Sequence, residues 1–265
     1  MPDTHDAPVR VTLFVTCVVD QFYPEIGESV VNVLERQGVS VDFPAAQTCC
    51  GQPAFNAGFT DDARAVAERF LEVFEGDDPI VVPSGSCGAM VRNLYGELFR
   101  EDPELLRKAK AIGERLFEFS EFLVDVLKRP DLAASLDGSA TYHQCCHLLR
   151  ELGVDVQPKS LLGSIEGLEM REMEQPEVCC GFGGTFAVKF PELSAAMLND
   201  KLDNATATGA DMLVASDATC LMHMEGGIRR RGDSIKPLHL AQLLDRATDA
   251  PAGGNETNGN EEPSA

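Results

Sequence analysis

Residues 11–17 read VTLFVTC and residues 140–146 read ATYHQCC. Each is a short β-rich run ending at a cysteine, and each is followed by residues at helical spacing. A strand that stops at a cysteine and turns into a helix is the opening of a βα unit. The chain continues from the two openings in parallel. Cys17 is followed by Cys49-Cys50-Gly51 and then Cys87, giving C-x31-CCG-x35-C. Cys146 is followed by Cys179-Cys180-Gly181 and then Cys220, giving C-x32-CCG-x38-C. Eight of the nine cysteines fall into this duplicated pattern and only Cys145 is left over.

The segments between the cysteines alternate in type. In the first half, PEIGESVVNVLERQG (24–38) carries apolar residues at helical spacing, with Pro24 at its start and Gly38 at its end. VSVDF (39–43) alternates like a strand, DDARAVAERFLEVFEG (61–76) reads as a helix, and IVVPSGSC (80–87) as a buried strand entering a Gly/Ser turn. The second half repeats the order with the β-like GLEMREM (167–173), the helix PELSAAMLNDKLDNATATG (191–209) and the strand-turn MLVASDATC (212–220). The region 104–129 reads as one or two connecting helices, and PLHLAQLLDRA (237–247) as a closing helix. The expected architecture is therefore α/β: two similar lobes from an internal duplication, each with a mostly parallel sheet flanked by helices. Its expected divisions are a disordered N-terminus (1–9), a first lobe with connecting helices (10–130), a second lobe (131–248) and a disordered acidic tail (249–265). In open sheets of this kind ligands sit beyond the carboxyl ends of the strands. The lone cysteines all lie at such ends, which predicts that each set gathers on one rim of its lobe.

Composition narrows the function. With 43 acidic against 22 basic residues the formal charge is −21, and the acids are spread along the chain. That argues against nucleic acid and against docking on anionic membranes. It suits a highly solvated, halophile-like surface in a salt-rich cytoplasm, where salt screens the self-repulsion. No apolar run reaches the roughly 18 residues of a spanning helix, so an integral membrane protein is not expected. The N-terminus lacks the order of a secretory signal, which points to a cytoplasmic protein. There, nine cysteines read as ligands or redox thiols rather than disulfides.

Soft thiolates select iron–sulfur clusters, Zn or Cu(I). Structural Zn sites use C-x2–4-C pairs, and neither half has one. Adjacent cysteines suit a cluster better than a single ion, because neighbouring thiolates can each reach a different iron. The glycine after each pair permits close backbone approach or a positive φ. The ferredoxin run C-x2-C-x2-C is absent. Buried small hydrophobes would account for one cysteine but not for eight in two parallel sets. Metal-free vicinal dithiol chemistry is a further reading.

TCCGQPAFNAG, PSGSCGAMVR, CCHLLRELG and CCGFGGTFAVKFPELSAAMLNDK carry a resemblance. They resemble the cysteine-rich CCG-domain family, which includes a subunit of heterodisulfide reductase and the iron–sulfur subunits of glycolate oxidase and anaerobic glycerol-3-phosphate dehydrogenase. Similarity is greatest to the short, two-module lactate-utilization branch, which lacks a ferredoxin domain. The resemblance implies iron–sulfur clusters, one per lobe, held by Cys17, Cys49, Cys50 and Cys87 and by Cys146, Cys179, Cys180 and Cys220. It also implies electron transfer within a complex oxidising L-lactate to pyruvate, beside partner subunits that include a ferredoxin-type iron–sulfur protein. The family's fuller pattern closes each module with C-x2-C. Here the first position of that pair is Ser84 in one half and Asp217 in the other. Both are candidate oxygen ligands, against the plainer roles of turn and helix-cap residues. Thiol–disulfide reduction and a non-redox protein with two Zn sites are the alternatives.

Of the remaining residues, Cys145 reads as incidental. His143, His147 and His223 flank the second set and read as helix-start or ligand-supporting groups. Gly181, Gly183 and Gly184 do not match a dinucleotide fingerprint and suit tight backbone around a cluster. Arg229, Arg230 and Arg231 read as a solvated helix end able to steer an acidic partner or a carboxylate. No flavin or nicotinamide motif and no general base stand out.

Overall fold

A computed structural model describes residues 9–249. The expected disordered ends fall almost wholly outside that range. Eight strands lie within it: β1 (Arg10–Leu13), β2 (Ser40–Asp42), β3 (Ile80–Val82), β4 (Leu116–Glu118), β5 (Ser135–His143), β6 (Glu166–Met170), β7 (Met212–Ala215) and β8 (Lys236–His239). They form two four-stranded sheets, ordered β2-β1-β3-β4 and β6-β5-β7-β8. Every pairing is parallel. Parallel neighbours need crossover connections, and the helices Pro24–Arg36, Thr60–Val73 and Pro103–Glu114 supply them in the first lobe. Val156–Gly163, Pro191–Ala207 and Ala218–Arg231 do so in the second. The duplication expected from the cysteines is thus a duplication of the fold.

Two expectations need correction. The region 104–129 contains β4 between two helical stretches, and the closing segment begins with β8 before its helix, Leu240–Asp249. LFE and KPLH are three and four residues long. Such runs show no periodicity of their own beside a helix. A short helix, Gln52–Asn56, also follows the first CCG directly.

The lobes share a core. Val11 and Leu13 of β1, Val81 of β3, Phe119, Phe122, Tyr142 of β5, Val214 of β7 and Leu240, Leu243 and Leu244 lie in one buried apolar cluster. Helix Pro24–Arg36 packs along helix Leu240–Asp249, and Arg36 pairs with Asp245 at 2.6 Å. Each buried aliphatic side chain contributes about 1.5–3 kcal/mol relative to exposure, so this interface fixes the lobes against each other. The first lobe has its own aromatic core. Phe14 meets Phe70 and Phe74 edge-on at 4.8 and 5.4 Å, and Tyr95 meets Phe70 at 5.6 Å.

Candidate cysteine-lined metal centre

Cys17 opens the helix Cys17–Phe22 just beyond β1, Cys49 and Cys50 lie in the loop after β2, and Cys87 lies in the helix Gly85–Ala89 just beyond β3. Three strand ends therefore deliver the first set. The Cys17 Sγ donates to Cys49 Sγ at 3.7 Å, and the Gly51 amide donates to the same sulfur at 3.4 Å. Gly51 has φ +84, and a Cβ there would lie 3.1 Å from the Ala63 carbonyl oxygen. The glycine is what lets the backbone turn its N–H onto the thiolate. Donation from Cys17, then from Cys50, outweighs burial and holds Cys49 down to about 3. Those same hydrogen bonds, with burial, push Cys17 and Cys50 up.

The second set repeats the arrangement. Cys146 opens the helix Cys146–Arg150 beyond β5, Cys179 and Cys180 follow β6, and Cys220 lies in the helix after β7. The Gly181 amide donates to Cys179 Sγ at 3.4 Å, and Gly181 has φ +89. Here a Cβ would lie 2.6 Å from the Ser194 carbonyl oxygen. Donation from Cys146, then Cys180, holds Cys179 down to about 2. The hydrogen bond to Cys179 is the largest influence raising Cys180 to about 12. Each set thus directs its hydrogen-bond donation onto the first cysteine of its CCG, which lowers that thiol.

The two rims face each other. All eight patterned cysteines, with Cys145, border one cavity of about 520 Å³. Gly85 and Leu148 set the approach: a Cβ on Gly85 would lie 2.6 Å from Leu148 Cβ. Ser84 and Asp217, the two positions where the fuller cysteine pattern is broken, meet at this junction. Ser84 accepts from the Cys87 amide and Asp217 from the Thr219 amide, so each caps the helix that carries its lobe's last cysteine. Ser84 Oγ donates to Asp217 Oδ2 at 3.0 Å, and the Ser86 amide donates to that oxygen at 3.0 Å. Burial works to raise the Asp217 carboxyl, but hydrogen bonds from Thr219, Ser86 and Ser84 outweigh it and keep it below the ordinary range.

Cys145 is not peripheral to the second set. It is 2 % exposed and borders the cavity beside Cys220, its Sγ within 4.8 Å of the Cys220 Sγ, and this proximity is the largest influence raising Cys220. His143 is completely buried, and burial with the Lys201 ammonium keeps it neutral, down at about 4. His147 Nδ1 lies 3.7 Å from Cys146 Sγ, and His223 Nε2 lies 3.2 Å from Ser194 Oγ. Lys201 is 1 % exposed and donates to the carbonyls of Gln175 and Pro176 at 2.7 and 3.2 Å. Lysine is almost never this buried, and no motif in the sequence marks it. The Arg run ends the helix Ala218–Arg231. Arg229 pairs with Glu225, and Arg231 with Asp203 at 2.7 Å and Asp233 at 2.8 Å. Among the described residues no helix is long and apolar enough to cross a membrane.

Comparisons with known proteins agree with this geometry. The cysteine-rich domain family CCG matches residues 11–92 and 140–225, one match per lobe. Lactate utilization protein A of Bacillus thuringiensis (strain Al Hakam) is 45% identical over 236 residues, covering 89% of this chain and 98% of that protein. Lactate utilization protein A 1 of Bacillus cereus (strain Q1) matches with the same identity and coverage. Among solved structures, a hypothetical protein from Helicobacter pylori superposes with a TM-score of 0.60 at 11% identity, over 93% of this chain and 50% of that one. That likeness concerns the fold alone. Two matched repeats, and identity of this extent over nearly the whole chain, establish that the protein belongs to the CCG cysteine-rich domain family, in its lactate utilization protein A branch.

Proposed function

We propose that the chain is an iron–sulfur electron-transfer subunit of a cytoplasmic complex oxidising L-lactate to pyruvate. The observation that carries the reading is the convergence of eight thiols, in two like sets of four, on one cavity. The donor chemistry fits iron–sulfur clusters: soft sulfur donors in each set of four, the first cysteine of each CCG accepting from the following glycine amide. Cys17, Cys49, Cys50 and Cys87 would hold one cluster, and Cys146, Cys179, Cys180 and Cys220 the other. Such clusters, when bound, take up and pass on single electrons. The residues around them exclude water and fix the thiols. Phe14, Phe70 and Tyr95 pack in one buried cluster with Cys50 and Cys87, and Tyr95 donates to the Cys50 carbonyl at 3.0 Å. Ser84 and Asp217 act as caps and a lobe-to-lobe link, their oxygens being engaged within the protein. The lactate assignment rests on the names of the relatives, and the expected partners include a ferredoxin-type iron–sulfur subunit. Deletion of the gene tests it: the strain should lose growth on L-lactate and keep growth on pyruvate. Normal growth on lactate would remove the physiological assignment.

The cavity favours one second reading. It is bordered by both cysteine sets and is large enough for a small molecule, as a thiol–disulfide reductase akin to heterodisulfide reductase would require. Anaerobic reduction of a mixed disulfide by the prereduced chain would favour that reading. Failure to reduce it, with electron exchange to a ferredoxin intact, would favour relay.

A further inference from the structure

The two cysteine sets are alike, but their surroundings are not. Sheet register aligns the lobes residue by residue: Leu13 pairs with Val81 as Tyr142 pairs with Val214. One position on, the first lobe has Phe14 and the second His143. Three on, the first has Thr16 and the second Cys145. The carbonyls of Ala63 and Ser194 stand equivalently against Gly51 and Gly181. Seven residues beyond them, Phe70 of the first lobe corresponds to Lys201 of the second.

Phe14 has an evident role, packed edge-on against Phe70 and Phe74. His143 has none of that kind. It is fully buried, and neither ring nitrogen has a hydrogen-bond partner among the described residues. The nearby Pro176 carbonyl already accepts from the Gln144 amide at 3.1 Å and from Lys201 Nζ at 3.2 Å. A buried polar group without a partner is destabilising, because it has given up its water hydrogen bonds for nothing. Its place therefore calls for a ligand. A ring nitrogen of His143, Cys145 Sγ and Cys220 Sγ all lie within 4.8 Å of one another.

Building on the metal-binding reading of the second set, we propose that Cys145 and His143 are additional metal ligands of that site: Cys145 supplies a fifth thiolate beside Cys220, and His143 an imidazole nitrogen. Thiolate and imidazole together suit iron and other borderline metals. The first lobe, with Thr16 and Phe14 at these positions, has only its four thiols. The sites are then chemically unequal, with nitrogen ligation confined to the second.

The test uses the full chain isolated anaerobically from cells fed 15N-histidine. In the reduced protein, one paramagnetic signal should show a 15N coupling of directly bound strength, absent from the other. His143→Phe, which installs the first lobe's residue, should abolish that coupling. Cys145→Ser should shift the same signal and its midpoint potential, and Thr16→Ala should change neither signal. Two intact signals with no 15N coupling, both unmoved by His143→Phe and Cys145→Ser, would overturn the proposal. A chain isolated without iron or sulfide would instead end the iron–sulfur reading, and the ligand proposal would be decided by adding Co2+ to the metal-free chain. Cys145→Ser and His143→Phe should each weaken Co2+ binding roughly tenfold or more and dim the thiolate-to-Co2+ absorption. Unchanged binding in both variants would overturn it.

Discussion

Ser84 Oγ donates a 3.0 Å hydrogen bond to Asp217 Oδ2, joining residues 133 apart in sequence at the seam between the lobes. The bond lies between the helix starts that carry Cys87 and Cys220. Each is the residue by which its half departs from a C-x2-C ending, so the two departures complement each other. Asp217→Ala removes the acceptor of Ser84, of the Ser86 amide and of the Thr219 amide at once. Loss of a buried charged acceptor of this kind should destabilise the chain by about 3 kcal/mol. Ser84→Ala should cost about 1 kcal/mol. Denaturant titration of the three proteins measures both. Equal, negligible losses would show that the link does not hold the lobes.

Glu118 gives the fold a pH dependence. It is completely buried at the end of β4, and burial pushes its carboxyl from 4.5 up to about 7. The folded state therefore binds the proton more tightly than the unfolded chain. The favourable contribution is complete below about pH 4.5 and fades as pH rises through about 7. Stability should fall by an amount on the order of 3 kcal/mol between pH 5 and pH 8 from this group. Glu118→Gln should flatten that fall, measured by urea unfolding at both pH values. An unchanged pH slope in the variant would contradict the assignment.

The two CCG glycines should not respond alike to substitution. Both have positive φ, which costs an L-residue about 1–2 kcal/mol. At Gly181 the added Cβ also meets the Ser194 carbonyl oxygen at 2.6 Å, against 3.1 Å from Ala63 at Gly51. Gly181→Ala should therefore empty the second site of metal under conditions in which Gly51→Ala only weakens the first. Metal content per chain in the two variants checks this order.

Lys201 places a buried cation near the second set, and its first-lobe counterpart is the apolar Phe70. A positive charge favours the reduced, more negative state of a bound cluster. Lys201→Met should lower the midpoint potential of one signal by an amount on the order of tens of millivolts and leave the other in place. Potentiometric titration followed by electron paramagnetic resonance distinguishes them.

Much of this arrangement was legible in the chain. VTLFVTC and IVVPSGSC announce strands that end at cysteines, and duplicated spacing announces duplicated lobes. Strands β4 and β8 were not legible, since LFE and KPLH are too short to show a period beside helices. The cap roles of Ser84 and Asp217 could be read from their type, but their contact could not, because it depends on how the lobes pack. For the same reason the cysteine sets read as two rims and prove to share one cavity. Lys201 looks ordinary in sequence, and His143 reads there only as a group flanking the second cysteine set. Only complete burial, and for His143 the lack of a partner, sets them apart.

Each set of four patterned thiols is proposed to hold an iron–sulfur cluster. Iron, acid-labile sulfide and zinc measured on the anaerobically isolated chain test it most directly, alongside Cys50→Ala and Cys180→Ala. About four irons per site with equal sulfide and a brown absorbance are expected, each variant losing about half. Stoichiometric zinc without iron or sulfide would contradict it.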